Sequence, residues 1–304
     1  MFGAQSMRVS AIFLYLVFST VFSNARAETD AARPIPASPR RIVSLAPSVT
    51  ETLFALGAGD RLVGVTTYCD YPPAARNLPK IGTFMNPNIE LVLAQHPDLV
   101  IAVPERADQE KLRILEQVGL KVAVLHISNL SEILKSIRVL AQIVGRRDQG
   151  ESLARAIQAK VQAVQQRLSR APRRRVLMLV GSNPLVAVGP GSYVDELITL
   201  ARGDNIARSA GVPWPVLNLE FVIGKAPEVI IEAGMGSEKG MTAQKWADLP
   251  SLPAVKNARI LSYFSDKILR PGPRAGEALQ EIGRLIHPEC FADSPSNRGG
   301  CADP

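Results

Sequence analysis

One segment of this chain occurs twice, and that repetition limits the fold more than any other feature. Residues 88–101 read N-I-E-L-V-L-A-Q-H-P-D-L-V-I, and residues 218–231 read N-L-E-F-V-I-G-K-A-P-E-V-I-I. Without a gap, Asn88 aligns with Asn218, Glu90 with Glu220, Pro97 with Pro227 and Asp98 with Glu228, at a constant offset of 130. Each copy predicts a short helix, a proline stop and a buried strand. Asparagine is a good N-cap, glutamate in the first turn suits the helix dipole, and proline ends the helix. The pair predicts two lobes with a matched carboxylate on each. The alternative is convergence on a common helix–strand signal, since glutamate near a helix start is ordinary.

Both ends of the chain bear on its compartment. Arg8 precedes an apolar stretch, Ala11 to Phe22, too short to span a bilayer comfortably, and Ala25-Arg26-Ala27 offers a cleavage site. Residues 1–27 read as a signal peptide, and the mature chain is expected to begin near Glu28. The formal charge of +7 includes Arg8 and Arg26, which leaves about +5 for the mature chain. Basic residues are scattered apart from Arg173-Arg174-Arg175, expected at a solvated helix-to-strand junction, and they do not form a nucleic-acid-binding face. Cys290 and Cys301 lie in a Pro/Ser/Asn/Gly-rich end, where secretion permits a disulfide; Cys69 would then be unpaired. His96, His126 and His287 are far apart and lack metal-ligand spacing, so no metal is expected.

Between the ends, strands and helices alternate. Strands are predicted at 41–45, 62–66, 99–103 and 122–125, and helices at 52–56, 109–118 and 131–144. Ser48-Val49-Thr50-Glu51 fits a capping box opening the first helix, with Gly57 just past its end. From Arg147 to Arg170 one long amphipathic helix carries the apolar stripe Leu153, Ile157, Val161, Val164 and Leu168. A second strand–helix series then runs from Val176 to Ile286. The fold class is α/β, with two similar lobes of mostly parallel sheet joined by one backbone helix. The expected division is an N-terminal lobe at 40–146, an interlobe helix at 147–171, a C-terminal lobe at 172–290 and a flexible tail at 291–304. A single helix bridging two lobes is stiff and limits their relative motion.

Three runs carry a resemblance: R-I-V-S-L-A-P-S-V-T-E-T-L-F-A-L-G from Arg41, V-G-V-T-T-Y-C-D-Y-P-P from Val63, and V-P-W-P from Val212. The chain resembles, over about Arg41 to Ile286, periplasmic solute-binding proteins of the helical-backbone type. These serve ABC importers of cobalamin, haem and iron–siderophore chelates, and the resemblance is nearest to the cobalamin branch. It implies a monomeric binding protein, without catalytic residues, that holds cobalamin or a related corrinoid between its lobes. By resemblance the contacts are Tyr68, Asp70, Phe84, Trp214 and the loop Asp266, Lys267, Ile268, Leu269 and Arg270. All of these fall in loops between predicted elements, several just after strands, where parallel-sheet lobes bind ligands. Aromatic rings suit a flat macrocycle, and Asp and Arg can bond its amide edge.

This sequence departs from the cobalamin branch at several points. Phe84 stands where the branch has tryptophan, Val186 where it has phenylalanine, and Lys267-Ile268 replaces an aromatic pair. The disulfide positions of the branch fall on Ala201 and Gly283. The resemblance also assigns Glu90 and Glu220 to docking on the importer's membrane subunits. Haem or a ferric siderophore is the alternative ligand; Tyr68 could ligate haem iron, while Arg270 and Arg274 are the evident partners for an anionic chelate. A secreted α/β hydrolase is a weaker alternative, because the chain has no G-x-S-x-G, and Gly189-Pro190-Gly191-Ser192 lacks a phosphate-loop lysine.

Overall fold

Four short, wholly apolar or small-residue strands open the structure: β1 (Ile42–Ser44), β2 (Leu62–Val65), β3 (Leu99–Ala102) and β4 (Val122–Val124). The computed structural model describes residues 38–103, 109–234, 246–292 and 301. The expected signal peptide and most of the expected tail lie outside them. All described residues fall in one unit, 35–304. Strands β1 to β4 pair in parallel in the order β2-β1-β3-β4. Near-continuous apolar strands are what a parallel sheet covered on both faces requires. The connecting helices are α1 (Pro47–Ala55), α2 (Ile89–Ala94) and α3 (Gln109–Gln117), and α4 (Leu130–Ile143) follows β4.

Helix α5 (Arg147–Arg167) comes next; its 21 residues span roughly 32 Å. It packs on α4 and on the last helix, α9 (Ala275–Ile286). Ile157 and Val164 of the expected stripe are buried, and Leu153 and Val161 pack beside them. Gly150 lets α5 approach α4, since a Cβ there would stand 2.3 Å from the Ala141 methyl.

The second half comprises β5 (Arg174–Ser182), β6 (Leu185–Ala187), α6 (Tyr193–Leu200), β7 (Gly203–Asn205), β8 (Val216–Leu217), α7 (Leu219–Lys225), β9 (Val229–Ala233), α8 (Pro253–Lys256), β10 (Ile260–Tyr263) and α9. The sheet order is β10-β9-β5-β6-β8, with β7 beside β5. Pairings among β10, β9, β5 and β7 are parallel, whereas β6 pairs antiparallel with both β5 and β8. The fold is therefore two α/β lobes, one parallel and one mixed, joined by α5. One apolar cluster runs through both, from Leu53 and Ile137 through Val164 to Leu197 and Ile282.

The repeated segment folds alike in both lobes. Asn88 Oδ1 accepts from Leu91 N at 2.9 Å, and Asn218 Oδ1 accepts from Phe221 N at 2.8 Å. Each copy ends on a left-handed residue, His96 at φ +45° and Ala226 at φ +46°. Arg41 Nε donates to the His96 carbonyl at 3.0 Å, and Arg175 Nε donates to the Ala226 carbonyl at 2.9 Å. The acids that follow also match: Asp98 accepts from Arg41 N at 3.1 Å, and Glu228 accepts from Arg175 N at 2.9 Å. The likeness thus extends to an arginine opening the central strand of each sheet. Arg174 and Arg175 are accordingly tied to backbone carbonyls rather than simply solvated; Arg174 Nη1 donates to Ile286 O at 2.5 Å.

One local expectation, the capping box, is corrected. Helix α1 starts at Pro47, and its N-cap, Ala46, makes no side-chain capping bond. The proline supplies a preformed first turn without an N–H to satisfy, so Glu51 is free of a capping role and points elsewhere. At the other end of the chain, Cys290 and Cys301 form a disulfide and Cys69 is buried and free. A Cβ at Gly283 would meet the Phe291 ring at 3.0 Å.

Candidate functional site

The loop after β2 carries the first group of candidate residues. Lys80 Nζ donates to the Cys69 and Ala75 carbonyls at 2.9 and 3.0 Å, and Thr67 N donates to Gly82 O at 2.9 Å. This pinned backbone presents Tyr68, 40% exposed, and Tyr71, similarly half-exposed. Phe84 is buried and its ring lies 5.3 Å from that of Tyr68. It is therefore a support beneath Tyr68 more than an open surface of its own.

The loop before β8 carries the next candidate. Trp214, 44% exposed, sits between Pro213 and Pro215. Gly189 N donates to Pro213 O at 2.8 Å and Ala187 N to Pro215 O at 2.9 Å. Only glycine fits at 189, because a Cβ would stand 2.0 Å from Val212 O. A rigid backbone of this kind holds a large ring out toward solvent at little entropic cost.

The loop after β10 divides its residues. Phe264 is half-exposed, and the sequence reading missed it although it directly follows a strand. Ile268 and Leu269 are buried in the shared core, so these two side chains anchor the loop instead of lining it. The Lys267 ammonium pairs with Glu281 and lies 3.9 Å from Glu277.

Asp266 and Arg270 enter an ion cluster that joins the lobes. Arg270 Nη1 donates to Asp70 Oδ1 at 2.7 Å and lies 3.3 Å from Glu51 Oε1, while Nη2 donates to Tyr68 O at 2.9 Å and pairs with Asp266. Arg274 donates through Nε and Nη2 to the two Glu51 oxygens at 2.7 and 2.6 Å, and its guanidinium lies 4.1 Å over the Tyr71 ring. Burial pushes the Glu51 carboxyl up, and Arg274 and Arg270 only partly offset it. Burial also works against Asp70, yet its bond to Arg270 holds that carboxyl below the usual range. Burial opposes charge on both arginines as well, but the surrounding carboxylates raise them. The capping-box pattern assigns Glu51 only a local role, and nothing in its neighbourhood of the sequence marks partners more than 200 residues away.

A second bridge lies between α4 and α6, where Glu196 Oε2 accepts from Leu130 N at 2.7 Å. Beside it is a recess of about 370 Å³ lined by Ser128, Asn129, Ser192, Asp195 and Arg208, among others. Glu90 and Glu220 are both exposed, each in the first turn of its helix. Among the described residues, one group brings three metal-type ligands together, His287, Glu289 and Cys290. The Cys290 sulfur is spent in the disulfide, so the group does not make a metal centre.

Residues 42–266 match the periplasmic binding protein family model. The Vitamin B12-binding protein of Vibrio cholerae serotype O1 is 31% identical over 251 residues, covering 83% of this chain and 90% of its own length. Among solved structures, the periplasmic vitamin B12 binding protein BtuF of Vibrio cholerae superposes with a TM-score of 0.74 at 30% identity, over 83% of this chain and 98% of its own. The periplasmic heme-binding protein RhuT from Roseiflexus sp. RS-1 gives 0.73 at 30% identity, over 83% and 99%. No helix among the described residues is long and apolar enough to cross a membrane. The chain therefore belongs to the periplasmic binding protein family.

Proposed function

We propose that this protein captures cobalamin or a closely related corrinoid between its lobes and delivers it to the membrane subunits of an ABC importer. The observation that carries the reading is the pair of rigidly backed, half-exposed rings, Tyr68 and Trp214, offered by loops of the two lobes. Similarity to vitamin B12-binding proteins over most of the chain supports it. Rings of this kind give a corrin plane large contact area, while Asp70, Asp266, Lys267 and the backbone of the last loop offer polar partners for its amide edge. The lobes correspond to 40–146 and 172–290, with 147–171 between them, and the protein acts as a monomeric binder without a catalytic step.

In this reading Glu90 and Glu220 dock onto basic residues of the membrane subunits. Two separated charges, one per lobe, fix orientation and speed encounter more than they add affinity. The folded repeat supports the pairing, because both carboxylates occupy the same position of the same structural unit. Co-elution of cyanocobalamin with the protein on gel filtration tests capture. Stimulation of a reconstituted importer's ATPase by a variant with lysine at both 90 and 220 tests docking; undiminished stimulation would remove the docking role.

Haem is the second reading. Its specific support is the similar heme-binding structure together with two half-exposed tyrosines, Tyr68 and Tyr71, since a phenolate can ligate haem iron. A haem Soret band shifted on mixing, without uptake of corrinoid, would favour it.

A further inference from the structure

Phe264 is the first residue after β10, and 47% of it is exposed. The residues around it are held on two sides. The Tyr263 hydroxyl donates to Glu281 of α9, and the Lys267 ammonium pairs with the same carboxylate. Ile268 and Leu269 are buried in the shared core. Asp266 pairs with Arg270, whose Nη2 donates to the Tyr68 carbonyl at 2.9 Å. Gly234 N donates to Tyr263 O at 3.2 Å, so the strand end itself is fixed beside β9. Between these anchors the Phe264 ring stays half in solvent on a braced backbone, as do the rings of Tyr68 and Trp214.

Strand β10 runs parallel to β9, and β9 to β5. Phe264 therefore lies at the carboxyl ends of these strands, the side on which parallel sheets take ligands. Successive side chains along a strand point to opposite faces. Tyr263 reaches α9, so the next ring is turned away from that helix. Two residues further on, the same loop is tied through Asp266 and Arg270 to the backbone of Tyr68, in the other lobe. Resting on the corrinoid reading above, we propose that Phe264 is a further ligand-contacting residue, a third ring that packs on the macrocycle together with Tyr68 and Trp214. Its contribution is apolar contact area, without charge or hydrogen bond. The part of binding that depends on it is therefore insensitive to salt, in contrast to any contact made by the charges of Asp266 or Lys267.

The test is calorimetric titration with cyanocobalamin of the wild type, Phe264→Ala and Phe264→Tyr, at low and high salt. Phe264→Ala should weaken binding about tenfold, the size of one well-packed ring contact, equally at both salt concentrations and with little change in melting temperature. Phe264→Tyr keeps the ring and should bind as the wild type does. A thiol at the same place gives an independent reading of contact. Cys69 is buried and Cys290 and Cys301 are bonded to each other, so in Phe264→Cys a maleimide reports on position 264. Saturating cyanocobalamin should slow that labelling. If the wild type binds cyanocobalamin, Phe264→Ala binds it equally well and ligand leaves the labelling unchanged, Phe264 is only an exposed ring; this inference fails and the corrinoid reading stands. Affinity lost only in proportion to lost stability would overturn it too. If the wild type binds no corrinoid, both fail.

Discussion

Trp214 is the residue on which binding most depends in this account. Its ring is open to solvent while its loop is fixed by Gly189 and Ala187. Trp214→Ala should weaken corrinoid binding by about 2 kcal/mol, roughly 30-fold, with little change in melting temperature. Collapse of stability with unchanged affinity of the folded fraction would make the ring a core residue. His287 illustrates a different effect. Burial first, and the charge of Arg174 second, hold its ring below the usual 6.5. The native state refuses a proton that the unfolded chain accepts, so this contribution to stability is complete above pH 6.5 and lost as pH falls through the native value. Urea midpoints at about pH 7.5 and about pH 5 should draw together in His287→Phe; an unchanged difference would exclude His287 as a cause. Single residues were unevenly legible. Trp214 stood out because prolines flank it. Ile268 and Leu269 looked like part of a binding loop, yet their apolar side chains turn into the core. Glu51 was hidden, because Ser-Val-Thr-Glu satisfies a local rule while its real partners are distant in sequence.

At the scale of elements, the longest patterns were the most readable. The stripe on α5 has five positions at helical spacing, and that many repeats leave little ambiguity. Strands β6 and β8 have three and two residues, too few to show any period, so the antiparallel turn in the second sheet was not visible. Helix α1 begins five residues before the expected Thr52, because Pro47 opens it without a side-chain cap. Helix α5 also supplies a test in which two effects oppose. Gly150→Ala should gain about 1 kcal/mol of helix propensity. The new methyl would stand 2.3 Å from that of Ala141, and neither can rotate away. Overpacking of this kind costs about 1–3 kcal/mol, so the variant should be less stable by urea denaturation. A more stable variant would show that α4 and α5 separate easily.

Across the whole molecule, three features tie the lobes together. Helix α5 is continuous, the apolar core crosses between lobes, and Glu51 and Glu196 each bridge from one lobe to the other. Hinge closure would have to break a buried ion cluster and shear a packed core. Small-angle scattering with and without ligand should therefore give nearly superimposable profiles, and a large compaction would contradict this linkage. The two-lobed plan was legible because one helix–strand unit recurs, with its cap, its turn and its closing acid. The ion cluster between lobes was not, since it depends on how the lobes face each other.

The central claim is that the cleft between these lobes holds a corrinoid, and calorimetric titration of the chain beginning at Glu28 with cyanocobalamin tests it most directly. The account predicts saturable heat with one-to-one stoichiometry. No heat with any corrinoid, alongside saturable binding of haem, would contradict it.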